Sequence, residues 1–431
     1  MKRQIARLLL LAFFLFLPAC ALPLPGTLRI CIDGAAYQDV SGLIADFQEE
    51  YPQIQVEVEV LPEVKLTLDE RFLPVLDADS VALRAAALEQ NRAALLAGNA
   101  GFDLYLVTGG TSQFSPMNGG ALVEDPYALM ASGGLEDLSG LGCRLDSSAL
   151  LGGVLEAGQW NGRQYLIPLR VELPGLMVDG ASGVGFPAER EAFFQLLCGE
   201  YGAQLAAANL GCGFPLASLS RPVVNKAQKT IALREEDYTA ALALARALYA
   251  QYAQGQQTAA ADRTILAAAA NPLLWAASNA AGTGVPAEMA YQLIPNETGG
   301  ATADVVAFGF VPKGGNTAAA SALLEWLLSE PVQDGTVPVY NALGGGYPVR
   351  KGCAEGVLAH TREYAGAQGK LGQTFLNSLI EAENRITSAK YVTCCDFELV
   401  NTLNGWQSGA VQDLDAALDQ LYTQWTQYLE E

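Results

Sequence analysis

The sequence predicts an α/β protein with doubly wound sheets in two domains, and three observations carry that prediction. Short apolar strands alternate with amphipathic helices through the first 110 residues. The chain has 431 residues, of which 51% are hydrophobic and 16% charged, so it can bury large cores and has the length of two domains. No period of roughly 20–50 residues repeats, which removes solenoids and propellers.

Taken in order, Leu28 to Ile32 reads as a strand broken by Asp33-Gly34. A helix from Ser41 to Tyr51 sets Ile44, Phe47 and Tyr51 on one face and stops at Pro52. Ile54, Val56, Val58 and Val60 then alternate with polar residues, the mark of a half-buried strand. A helix from Ser80 to Leu96 ends at Gly98, and Asp103 to Val107 forms the third strand. Residues 113–160 are glycine-rich and poorly periodic, and Gln164 to Val178 reads as extended segments broken at Pro168 and Pro174. Helices follow at Ala188 to Leu205 and Glu235 to Tyr252, strands near Tyr291–Ile294 and Val305–Val311, and a helix at Ala318 to Leu328. The last helix, Ala410 to Glu430, aligns Leu414, Leu418, Leu421, Trp425 and Tyr428 in a core-facing stripe.

The N-terminus reads as an export signal spanning residues 1–19. Lys2, Arg3 and Arg7 precede the apolar run Leu8 to Leu17, which is too short to cross a bilayer. Leu17-Pro18-Ala19-Cys20 resembles the bacterial lipobox, with Cys20 as the lipidated residue and residues 20–26 as a tether. The alternative is release of a soluble protein after Ala21. The membrane would be met through the lipid anchor only. Removing the leader leaves 22 basic and 46 acidic residues, a net charge of −24, which repels nucleic acid.

His360 is the single histidine, so a metal site with two His ligands is excluded. Gly-x-Ser-x-Gly, His-Glu-x-x-His and P-loop motifs are absent, and no carboxylate pair stands in a distinctive motif, which argues against a hydrolase. No catalytic residue and no cofactor is expected. Beyond Cys20 seven cysteines remain, without a C-x-x-C spacing; a disulfide such as Cys198–Cys212 and small buried thiols account for them equally.

Open α/β sheets bind ligands beyond the carboxyl ends of their strands. Those ends carry Tyr37 and Gln38 after the first strand and Thr111 and Ser112 after the third, although ordinary turn chemistry uses the same residue types. Arg170 and Glu172 alternate on one strand face near a crossover, where they line a cleft or form a structural ion pair.

Several segments in order resemble the extracellular solute-binding proteins of bacterial ABC importers, the maltose-binding-like group. They are the lipobox, Leu43 to Pro52, Leu96 to Leu104, Trp160 to Pro168, Asn271 to Ser278, Phe308 to Asn316 followed by Leu324 to Leu327 and Pro331 to Gln333, and Tyr347 to Arg350. The resemblance covers essentially the mature chain. It implies a type II periplasmic-binding-protein fold whose two lobes enclose a ligand cleft, with lobe one at 27–168 plus 290–317 and lobe two at 169–289 plus 318–431. It also implies a monomer, anchored outside the cell, that hands a small polar solute, sugar foremost, to permease subunits. Peptide, polyamine, sensing and surface roles stay open. Trp275 takes the place of a cleft-lining aromatic, or is a core Trp on an Ala-rich helix, and Tyr347 joins the cleft candidates.

Overall fold

A computed structural model describes residues 26–430 apart from 35–39, 69–73, 110–112, 206–207, 209, 255–263, 280–287, 336–344 and 365–371. The opening strands and helices follow the sequence closely. Strand β1 (Gly26–Asp33), helix α1 (Val40–Glu50), β2 (Ile54–Val60), α2 (Ala78–Leu96) and β3 (Leu104–Val107) give a parallel β2–β1–β3 arrangement, Ile30 standing opposite Val58 and Leu104. Asp77 caps α2 by accepting from the Ser80 amide at 2.9 Å.

Beyond β3 the sheet turns mixed. Strand β4 (Leu166–Glu172) leads into β5 (Gly175–Asp179), and helices α3 (Arg190–Gly199) and α4 (Glu236–Gln254) follow. Next come β6 (Ile265–Ala269), α5 (Pro272–Asn279), β7 (Met289–Leu293) and β8 (Ala301–Phe310). Strand β8 runs antiparallel to both β3 and β4, and all ten of its residues are buried. Its mostly apolar run is what a strand covered on both faces requires. The order is β9–β4–β8–β3–β1–β2, with β9 being Tyr347–Pro348, and β10 (Ile386–Tyr391) pairs in parallel with the first half of β8.

The second sheet has the order β6–β5–β7 and is antiparallel throughout. It departs from the doubly wound form because β5 pairs with strands that arrive from the far side of long helical excursions. One face packs Leu176 and Val178 on Phe193, Phe194 and Leu197 of α3. Beside it lies a helical core in which Tyr238 and Leu242 of α4 meet α9 (Cys394–Gln407) and α10 (Leu414–Glu430). The predicted stripe Leu414, Leu418, Leu421 and Trp425 is buried there.

The segment boundaries differ from the expected ones. Helix α6 (Thr317–Leu327), expected in lobe two, packs on the large sheet's side, with Trp326 edge-on to Phe47 of α1 at 5.5 Å. Strands β9 and β10 also belong to the large sheet, whereas β7, expected in lobe one, belongs to the small one. The chain crosses as often as expected but at other places: it leaves the large sheet at Leu173–Pro174, returns to it between β7 and β8, and leaves again only after Tyr391, because β9 and β10 pair with β4 and β8. The expected helix from Ala188 to Leu205 is interrupted between Gly199 and Gly202, and the last helix starts at Leu414, after Gly409 takes a positive φ of 80°. Helices α7 (Ala354–Tyr364) and α8 (Gln373–Arg385) complete the set; α8 binds the small sheet through the Tyr291 amide, which donates to Ser378 Oγ at 2.8 Å. The seven cysteines of the described residues are free thiols.

Candidate functional site

The three crossings between the sheets converge on one cavity of about 420 Å³. Glu172 and Pro174 line it from the first, Asp304 from β8, and Lys390 and Val392 from the third. The opposite wall comes from Phe214, Tyr238 of α4, Ala268–Ala270 at the end of β6, and Asp396, Phe397, Val400 and Asn404 of α9.

Sheet register determines the charged wall. Glu172 and Asp304 stand directly opposite each other on antiparallel β4 and β8. Like charges in that position repel, and burial removes the water that would soften the repulsion. Burial and the neighbouring Asp304 push the Glu172 carboxyl up to about 7. Burial also raises Asp304, to about 6, although the ammonium of Lys390 pulls the other way from 3.8 Å. Asp304 Oδ1 accepts no hydrogen bond. Lys390 Nζ also donates to the Leu216 carbonyl at 3.5 Å.

Asp396 faces the same cavity in a different condition. It forms a capping box with Thr393 at the start of α9, and its carboxylate accepts from the amides of Val223 and Thr393 at 2.8 and 3.0 Å and from Thr393 Oγ1 at 2.9 Å. Its hydrogen-bonding capacity is spent inside the fold.

A second, polar crevice of about 200 Å³ lies at the carboxyl ends of β1 and β3. Gly34 and Gly109 line it with Glu63, Arg84, Gln113 and Asn118. A Cβ on Gly34 would fall 2.4 Å from Thr108 Oγ1, so the close approach of the two strand ends requires glycine. Arg84 of α2 holds the corner: it donates to Asp33 Oδ1 at 2.9 Å and to the carbonyls of Pro62 and Gly120. Gln113 Oε1 and Thr108 Oγ1 are buried without hydrogen-bond partners. Phe114, the residue after Gln113, meets Phe397 of α9 with ring centroids 6.1 Å apart, so the strand-exit loop and α9 touch across the gap between the two regions.

The sequence candidates divide. Glu172 is on the cavity wall. Arg170 is wholly buried in the sheet, with its guanidinium 3.5 Å from the Val332 carbonyl. Tyr347 is corrected from cleft to core: it is 0% exposed, and its hydroxyl donates to Glu383 Oε1 at 2.8 Å. Its β9 position beside β4 puts the ring inside the large core, leaving no face for a ligand. Trp275 is half-buried against that core on α5 and is not a wall of either cavity. Tyr37, Gln38, Thr111 and Cys20 lie outside the described residues. Sequence reasoning missed Asp304, Lys390, Asp396 and Phe397. Two signals for them exist: Asp304 interrupts a run of buried small and apolar residues, and Thr393-x-x-Asp396 is a capping-box spacing.

No family model matches the chain, and no curated protein matches it by sequence. Solved structures do match. The sugar-binding protein MalE from Xanthomonas citri superposes with a TM-score of 0.59 at 15% identity, over 94% of this chain and 98% of that one. The fold is that of the two-lobed solute-binding proteins. An extracellular solute-binding protein of family 1 from Alicyclobacillus acidocaldarius gives 0.55 at 15% identity, over 94% and 99% of the two chains. The galacto-N-biose/lacto-N-biose I-binding protein of a Bifidobacterium longum ABC transporter gives 0.52 at 13% identity, over 94% and 97%. These neighbours are binding proteins by name. The charged cavity lies where the chain crosses between the large sheet and the region of the small sheet, α4, α9 and α10. Among the described residues no helix is long and apolar enough to cross a membrane, and no group of His, Cys, Asp or Glu is arranged to hold a metal ion.

Proposed function

We propose that the chain belongs to the extracellular solute-binding proteins and takes a small polar solute, sugar or oligosaccharide foremost, between its lobes for delivery to an ABC-importer permease. The observation that carries this reading is the cavity where all three crossings meet, walled by both lobes and carrying buried polar groups beside aromatic faces. Such a mixture suits a sugar or any compact solute with apolar and polar faces. The sugar-binding names of the structural neighbours support the same reading.

The mechanism is a population shift in which no bond is made or broken. A solute that touches both lobes only when they close adds its differential binding energy to the closed form, and that shape is what a permease would read. The buried amide of Asn296 donates to Thr302, Thr387 and Ser388, which ties the second crossing to the first residues of β8 and β10. Export by residues 1–19 and lipidation of Cys20 would place the receptor on the outer face of the cytoplasmic membrane.

A thermal-shift screen of residues 21–431 against sugars, oligosaccharides, amino acids, polyamines and short peptides tests the reading. A solute at about 100 times its Kd adds about 2.7 kcal/mol, and small-angle scattering should show the molecule contract with it. A flat screen over all classes defeats the receptor reading. Trp275→Ala in the same assay separates a cleft wall, where binding is lost, from packing, where only Tm falls.

A further inference from the structure

We infer that the solute taken by the crossing cavity carries a protonated amine, held between Glu172 and Asp304. This rests on the reading of the cavity as the solute site and goes beyond it by naming the ligand's charge.

Three observations lead there. Asp304 is only 7% exposed, faces the cavity, and has an oxygen that accepts no hydrogen bond. Its cross-strand neighbour Glu172 lines the same wall, and no described residue is seen to donate to its carboxylate. Asp396, the third acid of the cavity, accepts three hydrogen bonds from Val223 and Thr393, with donors on both of its oxygens, in contrast to the pair. Among the described residues Lys390 is the only basic side chain on the wall, and it stands 3.8 Å from Asp304 Oδ1, an ion pair longer than a normal hydrogen bond.

A neutral hydroxyl asks a site for donors as well as acceptors, and the Glu172–Asp304 corner offers acceptors, the donor amides of Asn401 and Asn404 belonging to α9 on the opposite wall. An ammonium group brings three donors and no acceptor, together with the missing charge. Phe397 and Tyr238 place aromatic rings on the same cavity, where a desolvated cation gains a further attraction. The raised carboxyl groups fit this reading, since burial holds part of their proton load until a cation arrives. Besides burial, the charged groups that act on them are each other, Lys390 on β10 and Asp396 on α9, and the buried hydroxyls of Tyr291 on β7 and Tyr127 lie within their field. Amino sugars and aliphatic polyamines share this chemistry.

Calorimetry on the mature chain at pH 7.5 and 5.0 tests the inference with matched probes: glucosamine and its oligomers against glucose and N-acetylglucosamine, with putrescine and spermidine alongside. The expected result is an amine bound at least about tenfold more tightly than its neutral counterpart, or about 1.4 kcal/mol. Proton release should make its heat depend on the buffer, and affinity should fall about tenfold at pH 5.0. Glu172→Gln and Asp304→Asn should each cost the amine about tenfold and narrow its advantage over the neutral probes. Should Asp304→Asn fail to fold, Glu172→Gln and the pH series on the unaltered chain decide the matter. Preference between amino sugars and polyamines identifies the source. Neutral sugars bound as tightly as amines, without pH dependence, overturn the amine while the receptor reading stands; binding by no probe of any class overturns both.

Discussion

Asp33 and Asp304 are both buried carboxylates on strands of one sheet, and their surroundings have opposite characters. Around Asp33 everything is closed: Arg84 donates to one oxygen at 2.9 Å and the Leu122 amide to the other at 2.7 Å. Around Asp304 a cavity remains, an oxygen is left without a donor, and a second acid faces it across the strands. Burial alone therefore does not mark a binding site. What distinguishes the two places is whether the fold supplies the partner or leaves it to be brought in.

The most disruptive way to test that comparison is Arg84→Ala, which strands the Asp33 charge in a dry corner. It should destabilise the chain by about 3–5 kcal/mol, measured by urea unfolding, and the double change with Asp33→Asn should recover part of the loss. A change under about 1 kcal/mol would mean the corner is wetter than its geometry says.

The acid pair should behave in the reverse sense. Both carboxyls are raised in the folded state, so the native form holds protons that the unfolded chain gives up at ordinary values of 4.5 and 3.8. Their contribution to stability is whole at acid pH and is lost as pH rises through about 6 and about 7. Glu172→Gln or Asp304→Asn should stabilise the unliganded chain by roughly 1–2 kcal/mol at pH 8 and flatten its Tm between pH 5 and 8. Thermal unfolding that shows lower stability for these variants at pH 8 would place both acids among satisfied groups like Asp33.

A smaller effect belongs to Thr393→Ala, which removes the cap of α9 and frees Asp396 from one of its donors. It should cost about 1 kcal/mol by chemical unfolding and change amine affinity only slightly. At the bottom of the scale, Arg246 meets Asp415 at 2.6 Å on the surface, and Arg246→Ala should stay within about 0.5 kcal/mol in the same measurement.

Much of the fold was legible from periodicity. Alternation over Ile54–Val60, the helices either side of it and the stripe of α10 all depend on local spacing that burial then uses directly. The region from Ala354 to Gln407 was not assigned, because its helices alternate short polar and apolar pieces and β10, ITSAKY, is half polar. Of the candidate site, the sequence names Glu172, which lines the cavity. Arg170 stands beside Glu172 on one strand face in the sequence and Tyr347 is a cleft candidate by the resemblance, but strand pairing on both sides of β4 draws both into the core.

The sequence by itself determined the alternating α/β plan, the acidic balance and the absence of familiar catalytic motifs, because composition and short-range spacing suffice for each. Only the tertiary structure decided which charges meet. Glu172, Asp304, Lys390 and Asp396 are spread over 225 positions of chain and become one wall through the pairing of β4, β8 and β10 and the docking of α9. Long-range register is set by the burial of whole sheet faces, and no local pattern around any one of these residues contains it.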